Sequence, residues 1–171
     1  HPFLHETLAE MRDRGHRRAL GIILSSFQTE ASWERYVGDV SAAREKVGAG
    51  APEVVYAPPW ADHPLFIDAM VARAGDALDQ VPAPKRADAL LVFTAHSVPV
   101  AMANGSPYAR QLEAAAGVIA RRLGHSRWQL AYQSRSGSPK DPWLEPDICD
   151  VLRGLKGAGM EDVVAAPIGF V

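Results

Sequence analysis

Residues 88–99, DALLVFTAHSVP, consist of a short apolar run that ends in a polar turn. The run predicts a strand over Asp88–Thr94, because a continuous apolar stretch of this length is typical of a strand buried on both faces. In open α/β sheets, ligands bind beyond the carboxyl ends of the strands. His96 follows this strand directly and is therefore the first candidate for a functional side chain.

The same alternation of apolar runs and helical spacing continues on both sides of this stretch. Ser32 is the expected N-cap of the helix after the first strand, and Pro64 suits the first turn of a later helix. Strands separated by helices predict parallel βαβ units and a doubly wound α/β fold. The further predicted strands are Arg18–Leu24, Glu53–Ala57, Trp128–Tyr132 and Asp162–Ala166.

A linker is predicted near residue 82. The segment 81–86 contains two prolines followed by two charged residues and lacks any apolar periodicity. We therefore expect residues 1–81 to be the second part of one domain, 82–87 the linker, and 88–171 the first part of another. Each half-sheet is expected to be incomplete, since the last strand has no covering element after it.

Composition limits the classes of function. With 171 residues, 47% of them apolar, the chain can bury a substantial core. A net charge of -2 without a basic patch gives no reason to expect nucleic acid or an anionic membrane surface as a partner. The longest apolar stretch is far shorter than the roughly 20 residues that a transmembrane helix needs. The single cysteine, Cys149, excludes an internal disulfide and fits a cytoplasmic location.

Three loops at predicted strand ends carry the candidate site. A neutral imidazole at His96 could bind a divalent metal or accept a proton near pH 7, although it could equally be a hydrogen-bonded strand end. Trp143 offers a flat apolar face for a planar aromatic ligand, or it could cover the core. Gly169 permits close backbone approach beside Phe170, although core packing is the alternative. A nucleophile elbow at Ser25 and a glycine-rich phosphate loop are both absent from the sequence.

In these loops the sequence resembles the ferrochelatases, which insert ferrous iron into a porphyrin to make haem. The resemblance extends over essentially the whole chain, with the motifs in the family's order and spacing. The motifs are Phe93-Thr94-Ala95-His96-Ser97-Val98-Pro99, Tyr132-Gln133-Ser134-Arg135-Ser136-Gly137, Pro142-Trp143-Leu144-Glu145-Pro146 and Pro167-Ile168-Gly169-Phe170-Val171.

The resemblance implies two Rossmann-like domains with the porphyrin cleft between them. It implies that His96 is the catalytic residue and meets the metal. The residues expected to bind the porphyrin are Trp143, Phe170, Ser25, Phe27, Gln133 and Ser134. The implied partners are a porphyrin and ferrous iron, and protoporphyrin IX and coproporphyrin III remain alternatives. A non-catalytic porphyrin- or haem-binding module and a chelatase for another metal or tetrapyrrole are the competing functions.

Two features of the family pattern are not matched. Some ferrochelatases carry a two-iron, two-sulfur cluster with a cysteine in the loop after the first strand, but Trp33 stands near that place. Cys149 lies elsewhere, so we expect no cluster and no resident cofactor. The family also has a second catalytic group, a glutamate a few residues beyond the motif that ends here. We therefore expect the chain to be a central fragment that is inactive by itself.

Overall fold

The computed structural model describes residues 2–138 and 140–169 of the chain. The helices are α1 (Leu4–Asp13), α2 (Arg35–Val47), α3 (Pro64–Leu78), α4 (Val100–Asn104), α5 (Tyr108–Arg122) and α6 (Ile148–Gly157). The strands are β1 (Arg18–Gly21), β2 (Glu53–Tyr56), β3 (Leu90–His96), β4 (Trp128–Gln133) and β5 (Val163–Pro167). A π-helical turn (Glu30–Glu34) precedes α2, and a 3₁₀ turn (Ala83–Lys85) lies between α3 and β3.

The strands form two parallel sheets. In the first sheet, β1 pairs with β2, and Leu20 lies beside Val55. In the second sheet the order is β4-β3-β5, so β3 has a parallel neighbour on each side. Two parallel sheets flanked by helices confirm the α/β prediction.

The central strand β3 forms the core of the second sheet. The side chains of Leu91 and Phe93 are fully buried, as the continuous apolar run predicted. Helix α5 buries Leu112 and Ile119 in the same hydrophobic cluster, because its apolar residues recur on one face. Burying a side chain of this size contributes about 1.5–3 kcal/mol, so these contacts hold the carboxyl end of β3 in a fixed place.

Several predicted boundaries are corrected by the structure. Strand β1 ends at Gly21 and not at Leu24, whereas β3 extends as far as His96. The predicted N-cap, Ser32, is wrong, because the hydroxyl of Thr29 accepts the hydrogen bond from the backbone N–H of Ser32. Ser32 occupies the third position of the turn, and its own hydroxyl accepts from the N–H of Thr29, which completes a capping box.

Helix α3 packs against α5 and against β5 of the second sheet. Its residues Phe66 and Ile67 belong to the same hydrophobic cluster as Phe93. The predicted linker at 82–87 therefore follows a helix that already contacts the second half. The domain boundary at residue 81 stays a prediction, and these contacts favour a division between β2 and α3.

None of the helices in the described part of the chain combines the length and the apolar character needed to cross a bilayer.

Candidate functional site at the carboxyl edge of the second sheet

His96 is the last residue of β3 and lies at the middle of the carboxyl edge of the sheet. Its side chain is half-buried, and Gln133, the last residue of β4, is its register partner. The backbone N–H of Ser97 donates to the carbonyl of Gln133 at 2.8 Å, which continues the parallel ladder past the strand end. The backbone around His96 is therefore held by the neighbouring strand.

A second segment is fastened to the residues after His96. The N–H of Leu144 donates to the carbonyl of Val98 at 3.0 Å, and the N–H of Val100 donates to the carbonyl of Pro142 at 2.9 Å. The hydroxyl of Ser97 donates to the carbonyl of Leu144 at 2.9 Å. We call these three hydrogen bonds between residues 97–100 and 142–144 the loop clamp. They bring two of the predicted motifs together at one edge.

The loop clamp places Trp143 against the turn that follows His96. Pro99 and Trp143 form an antiparallel bridge, and the indole is only 9% exposed. Its ring lies directly on the backbone of Gly137, where an added side chain would overlap it. The indole Nε1 has no hydrogen-bond partner within the described residues. Gly137 is therefore required so that the loop from β4 can close over the indole.

Gly169 brings the third motif against β3. Its N–H donates to the carbonyl of Thr94 at 3.2 Å, and its Cα approaches Ala95 without room for a side chain. Phe170, the predicted porphyrin contact that follows, lies outside the described residues. The segment from β5 therefore reaches the sheet edge directly beside His96.

Ser134 follows β4 with an unusual backbone conformation. Its φ angle is 61°, the left-handed region that residues with a side chain rarely adopt, and its side chain is exposed. Such outliers occur at functional sites more often than elsewhere. Its neighbour Gln133 contributes the carbonyl that receives the Ser97 hydrogen bond.

The loop after β1, residues 25–29, will be called the Ser25 loop. The hydroxyl of Ser25 donates to the carbonyl of Phe27 at 2.9 Å, and the carbonyl of Ser25 accepts from Trp33 Nε1 at 3.3 Å. Phe27 is only 2% exposed and meets Phe66 and Tyr108 edge-on. Ser25 is therefore half-buried, whereas the ring of Phe27 is buried beneath the loop.

Two tyrosines near the sheet edge remain neutral at physiological pH. Burial raises the pKa of Tyr108 far above its usual value, and the hydroxyl donates to the carbonyl of His96 at 2.8 Å. Burial also raises the pKa of Tyr132, with a further contribution from the negative charge of Glu113. The described residues contain no group of three or more His, Cys, Asp and Glu side chains that could hold a metal ion.

Comparison with known proteins assigns the chain to a family. The family model described as Ferrochelatase matches residues 1–171. The chain belongs to the ferrochelatase family. The coproporphyrin III ferrochelatase of Mycobacterium tuberculosis (strain ATCC 25618 / H37Rv) is 43% identical over 173 residues, which are 99% of this chain and 49% of that protein.

Two further ferrochelatases show the same level of similarity. The coproporphyrin III ferrochelatases of Mycolicibacterium paratuberculosis (strain ATCC BAA-968 / K-10) and Mycobacterium avium (strain 104) are each 43% identical, over 99% of this chain and 50% of their own length. The chain spans about half the length of the curated relatives that it matches.

The structure brings together several residues that the ferrochelatase resemblance singled out. His96 and Gln133 are neighbours in the sheet, and the loop clamp adds Trp143 to the same edge. The roles of these residues, and those of Ser25, Phe27, Ser134 and Phe170, stay predictions.

Tyr108 and Gln111, which link this edge to the Ser25 loop, stand in no motif of the sequence that pointed to the site. Their partners lie 12 and 83 residues away, and a hydrogen bond across such a distance leaves no local pattern in the sequence.

Proposed function

We propose that the complete polypeptide containing this chain is a ferrochelatase that inserts ferrous iron into a porphyrin, with His96 meeting the metal. The observation that carries the proposal is the position of His96 in a chain that matches the ferrochelatase family over its whole length. His96 ends the central parallel strand, where α/β proteins bind their ligands. Because the chain spans about half the length of its relatives, the activity is proposed for the complete polypeptide.

The chemistry of metal insertion explains the choice of a histidine. Two pyrrole N–H groups must lose their protons while the ferrous ion loses its water ligands. A neutral imidazole can accept a proton near pH 7 or bind a divalent metal, so His96 suits either step. Iron enters as a substrate. The proposal includes no resident cofactor.

We propose that the porphyrin lies against the edge that carries Trp143, Gln133 and Ser134, with Ser25 on the opposite wall, and that Phe170 also binds it. The indole of Trp143 is buried against Gly137, so it supports this edge from behind, and the left-handed backbone of Ser134 turns the loop after β4. Phe27 was expected to contact the porphyrin directly. Its burial favours an indirect role, in which the ring supports the Ser25 loop from behind.

Coproporphyrin III is the proposed porphyrin, because the relatives at 43% identity are named coproporphyrin III ferrochelatases. Protoporphyrin IX is the alternative. Steady-state assays of the full-length protein with ferrous iron and each porphyrin decide between them through the ratio of the two kcat/KM values. We further propose a cytoplasmic location, which is supported by one exposed free cysteine, Cys149.

The decisive experiment compares His96→Ala with His16→Ala in the full-length protein. His16 is an exposed histidine whose ring has no hydrogen bond within the described residues. Loss of a positioned base or ligand costs about two to four orders of magnitude in rate, so His96→Ala should lower kcat by about that factor. His16→Ala should retain the kcat of the unmodified protein.

Two results would reject the proposal. Near-normal turnover by His96→Ala would remove His96 from the chemistry. Tight porphyrin binding without any iron insertion by the unmodified full-length protein would favour the porphyrin-binding module instead.

A further inference from the structure

The first turn of α5 contacts both walls of the proposed cleft. Tyr108, the first residue of this helix, is 5% exposed and donates its hydroxyl hydrogen to the carbonyl of His96 at 2.8 Å. One helical turn later, Gln111 faces the Ser25 loop from the other half of the chain. One short helical turn therefore connects two segments that are distant in the sequence.

The contact of Gln111 with the loop consists of two hydrogen bonds. The backbone N–H of Gln28 donates to Oε1 of Gln111 at 2.9 Å, and Nε2 of Gln111 donates to Oε1 of Gln28 at 2.8 Å. Because Gln111 uses both its acceptor and its donor on the same residue, it constrains the orientation of the loop as well as its distance.

An aromatic contact runs beside these hydrogen bonds. The rings of Phe27 and Tyr108 meet edge-on, with their centroids 6.3 Å apart and their planes at 89°. Phe66 of α3 also meets Phe27 edge-on, with the ring centroids 6.0 Å apart. The Ser25 loop is thus held on α5 by a buried ring and by a pair of amide hydrogen bonds, and α5 in turn holds the backbone of His96.

We propose that Tyr108 and Gln111 are positioning residues that set the distance between the Ser25 loop and His96 during iron insertion. This inference rests on the proposed function. Reacting atoms must approach to about 3–3.5 Å, and a displacement of about 1 Å can cost about 100-fold in rate. A porphyrin held by the Ser25 loop presents its nitrogens to His96 only when this distance is fixed. Neither residue touches the reacting atoms in this proposal.

The chemistry of Tyr108 fits a positioning role. Burial keeps its hydroxyl protonated, so it remains a hydrogen-bond donor across the pH range in which a histidine titrates. Tyr108→Phe removes this donor and retains the ring that packs on Phe27. The pH at which activity is half-maximal should therefore be the same in Tyr108→Phe as in the unmodified enzyme, while kcat falls.

The test uses the full-length protein with coproporphyrin III and ferrous iron. Tyr108→Phe and Gln111→Met should each lower kcat by about 10-fold or more, with the KM for porphyrin changing less than about threefold. Arg110→Met is the matched control, since Arg110 is exposed and makes no hydrogen bond or ion pair among the described residues. Thermal unfolding of each variant serves to check that the fold is retained.

A double-mutant cycle separates the effect of the hydrogen bonds between Gln28 and Gln111 on kcat from a general effect of the substitutions on α5. Gln28→Met removes the hydrogen bond from Nε2 of Gln111 and keeps the one from the backbone N–H of Gln28. Its kcat should therefore fall less than that of Gln111→Met. The double variant should match Gln111→Met alone, because both changes act on one contact. If Gln111→Met does not fold, Gln28→Met tests the same contact from the loop side.

The outcomes distinguish this inference from the proposed function. An unmodified protein that inserts no iron would reject the proposed function. An active protein in which Tyr108→Phe, Gln111→Met and Arg110→Met all share the same kcat would overturn the positioning role. A shifted pH profile in Tyr108→Phe would also overturn it, since Tyr108 would then take part in proton transfer.

Discussion

Gly169 approaches Ala95 so closely that position 169 has no room for a side chain. A Cβ atom there would lie 2.7 Å from the Cβ and 2.8 Å from the Cα of Ala95. Gly169→Ala must therefore displace the segment after β5 from the edge of the sheet. We expect a loss of about 1–3 kcal/mol in the free energy of unfolding, which is usual for overpacking. Chemical denaturation of the full-length protein measures this change.

Gly154 provides the matched control for Gly169. It lies within α6, where a Cβ atom would meet nothing within 4 Å. Gly154→Ala should leave stability unchanged or raise it by about 0.5–1 kcal/mol, because alanine restricts the unfolded chain more than glycine does. Equal destabilisation by both substitutions would show that the contact with Ala95 is not what requires glycine at 169.

Trp143 combines a large aromatic surface with a buried N–H that lacks a partner within the described residues. Trp143→Phe removes this donor. The loss in the free energy of unfolding that a smaller core side chain usually causes should therefore be partly offset. The loss of aromatic surface should weaken porphyrin binding by about 2–10-fold, which corresponds to about 0.5–1.5 kcal/mol. Fluorescence titration with coproporphyrin III measures the affinity. A large fall in kcat with unchanged affinity would contradict a binding role for Trp143.

At the scale of elements, the loop clamp joins the turn after β3 to the loop before α6. Ser97 is 2% exposed, and its hydroxyl hydrogen bond to the carbonyl of Leu144 is the side-chain part of the clamp. Ser97→Ala should lower the free energy of unfolding by about 0.5–1.5 kcal/mol and weaken porphyrin binding, since Trp143 adjoins Leu144. Ser126→Ala is the control, because Ser126 is exposed and its hydroxyl has no hydrogen bond among the described residues.

Differential scanning calorimetry and porphyrin titration of both serine variants test this prediction. If Ser97→Ala and Ser126→Ala behave alike, the two backbone hydrogen bonds of the clamp are sufficient to hold the loop.

Local sequence patterns predicted the elements that carry the site but not how these elements meet. The apolar run before His96 predicted a strand, and the order of strands and helices predicted parallel pairing, which the structure confirms. The loop clamp was not predicted, because two of its three hydrogen bonds are between backbone groups and any residue could supply them. The wrong choice of Ser32 over Thr29 as N-cap had a different cause. Both are good caps, and only the path of the chain decides between them.

At the scale of the whole molecule, one hydrophobic cluster connects the two predicted halves. It includes Phe27 from the Ser25 loop, Phe66 from α3 and Phe93 from β3. A 3₁₀ turn lies near residue 82, and the linker and domain boundary expected there stay predictions. Sequence alone gave no sign that α3 packs on the second sheet, since an amphipathic helix shows which face is buried but not its partner.

The first sheet has one apolar face that the described residues leave open. Leu20, Ile22 and Leu24 alternate along one side of β1 and the residues after it, and they are 65%, 61% and 77% exposed. Val55, the register partner of Leu20, is 36% exposed on the same sheet. Contiguous apolar surface of this kind mediates contacts with other protein surface.

A polypeptide consisting of these 171 residues should therefore self-associate through this face. The double variant Leu20→Lys, Leu24→Lys should be monomeric at concentrations at which the unmodified polypeptide associates, because two charges in this apolar surface oppose packing. The control is Ser41→Lys, Ala42→Lys, which adds the same charge to exposed positions of α2. Sedimentation velocity at about 10 and 100 μM distinguishes the three proteins. An unmodified polypeptide that stays monomeric at both concentrations would show that this face does not drive association, and equal behaviour of the two double variants would assign any effect to net charge.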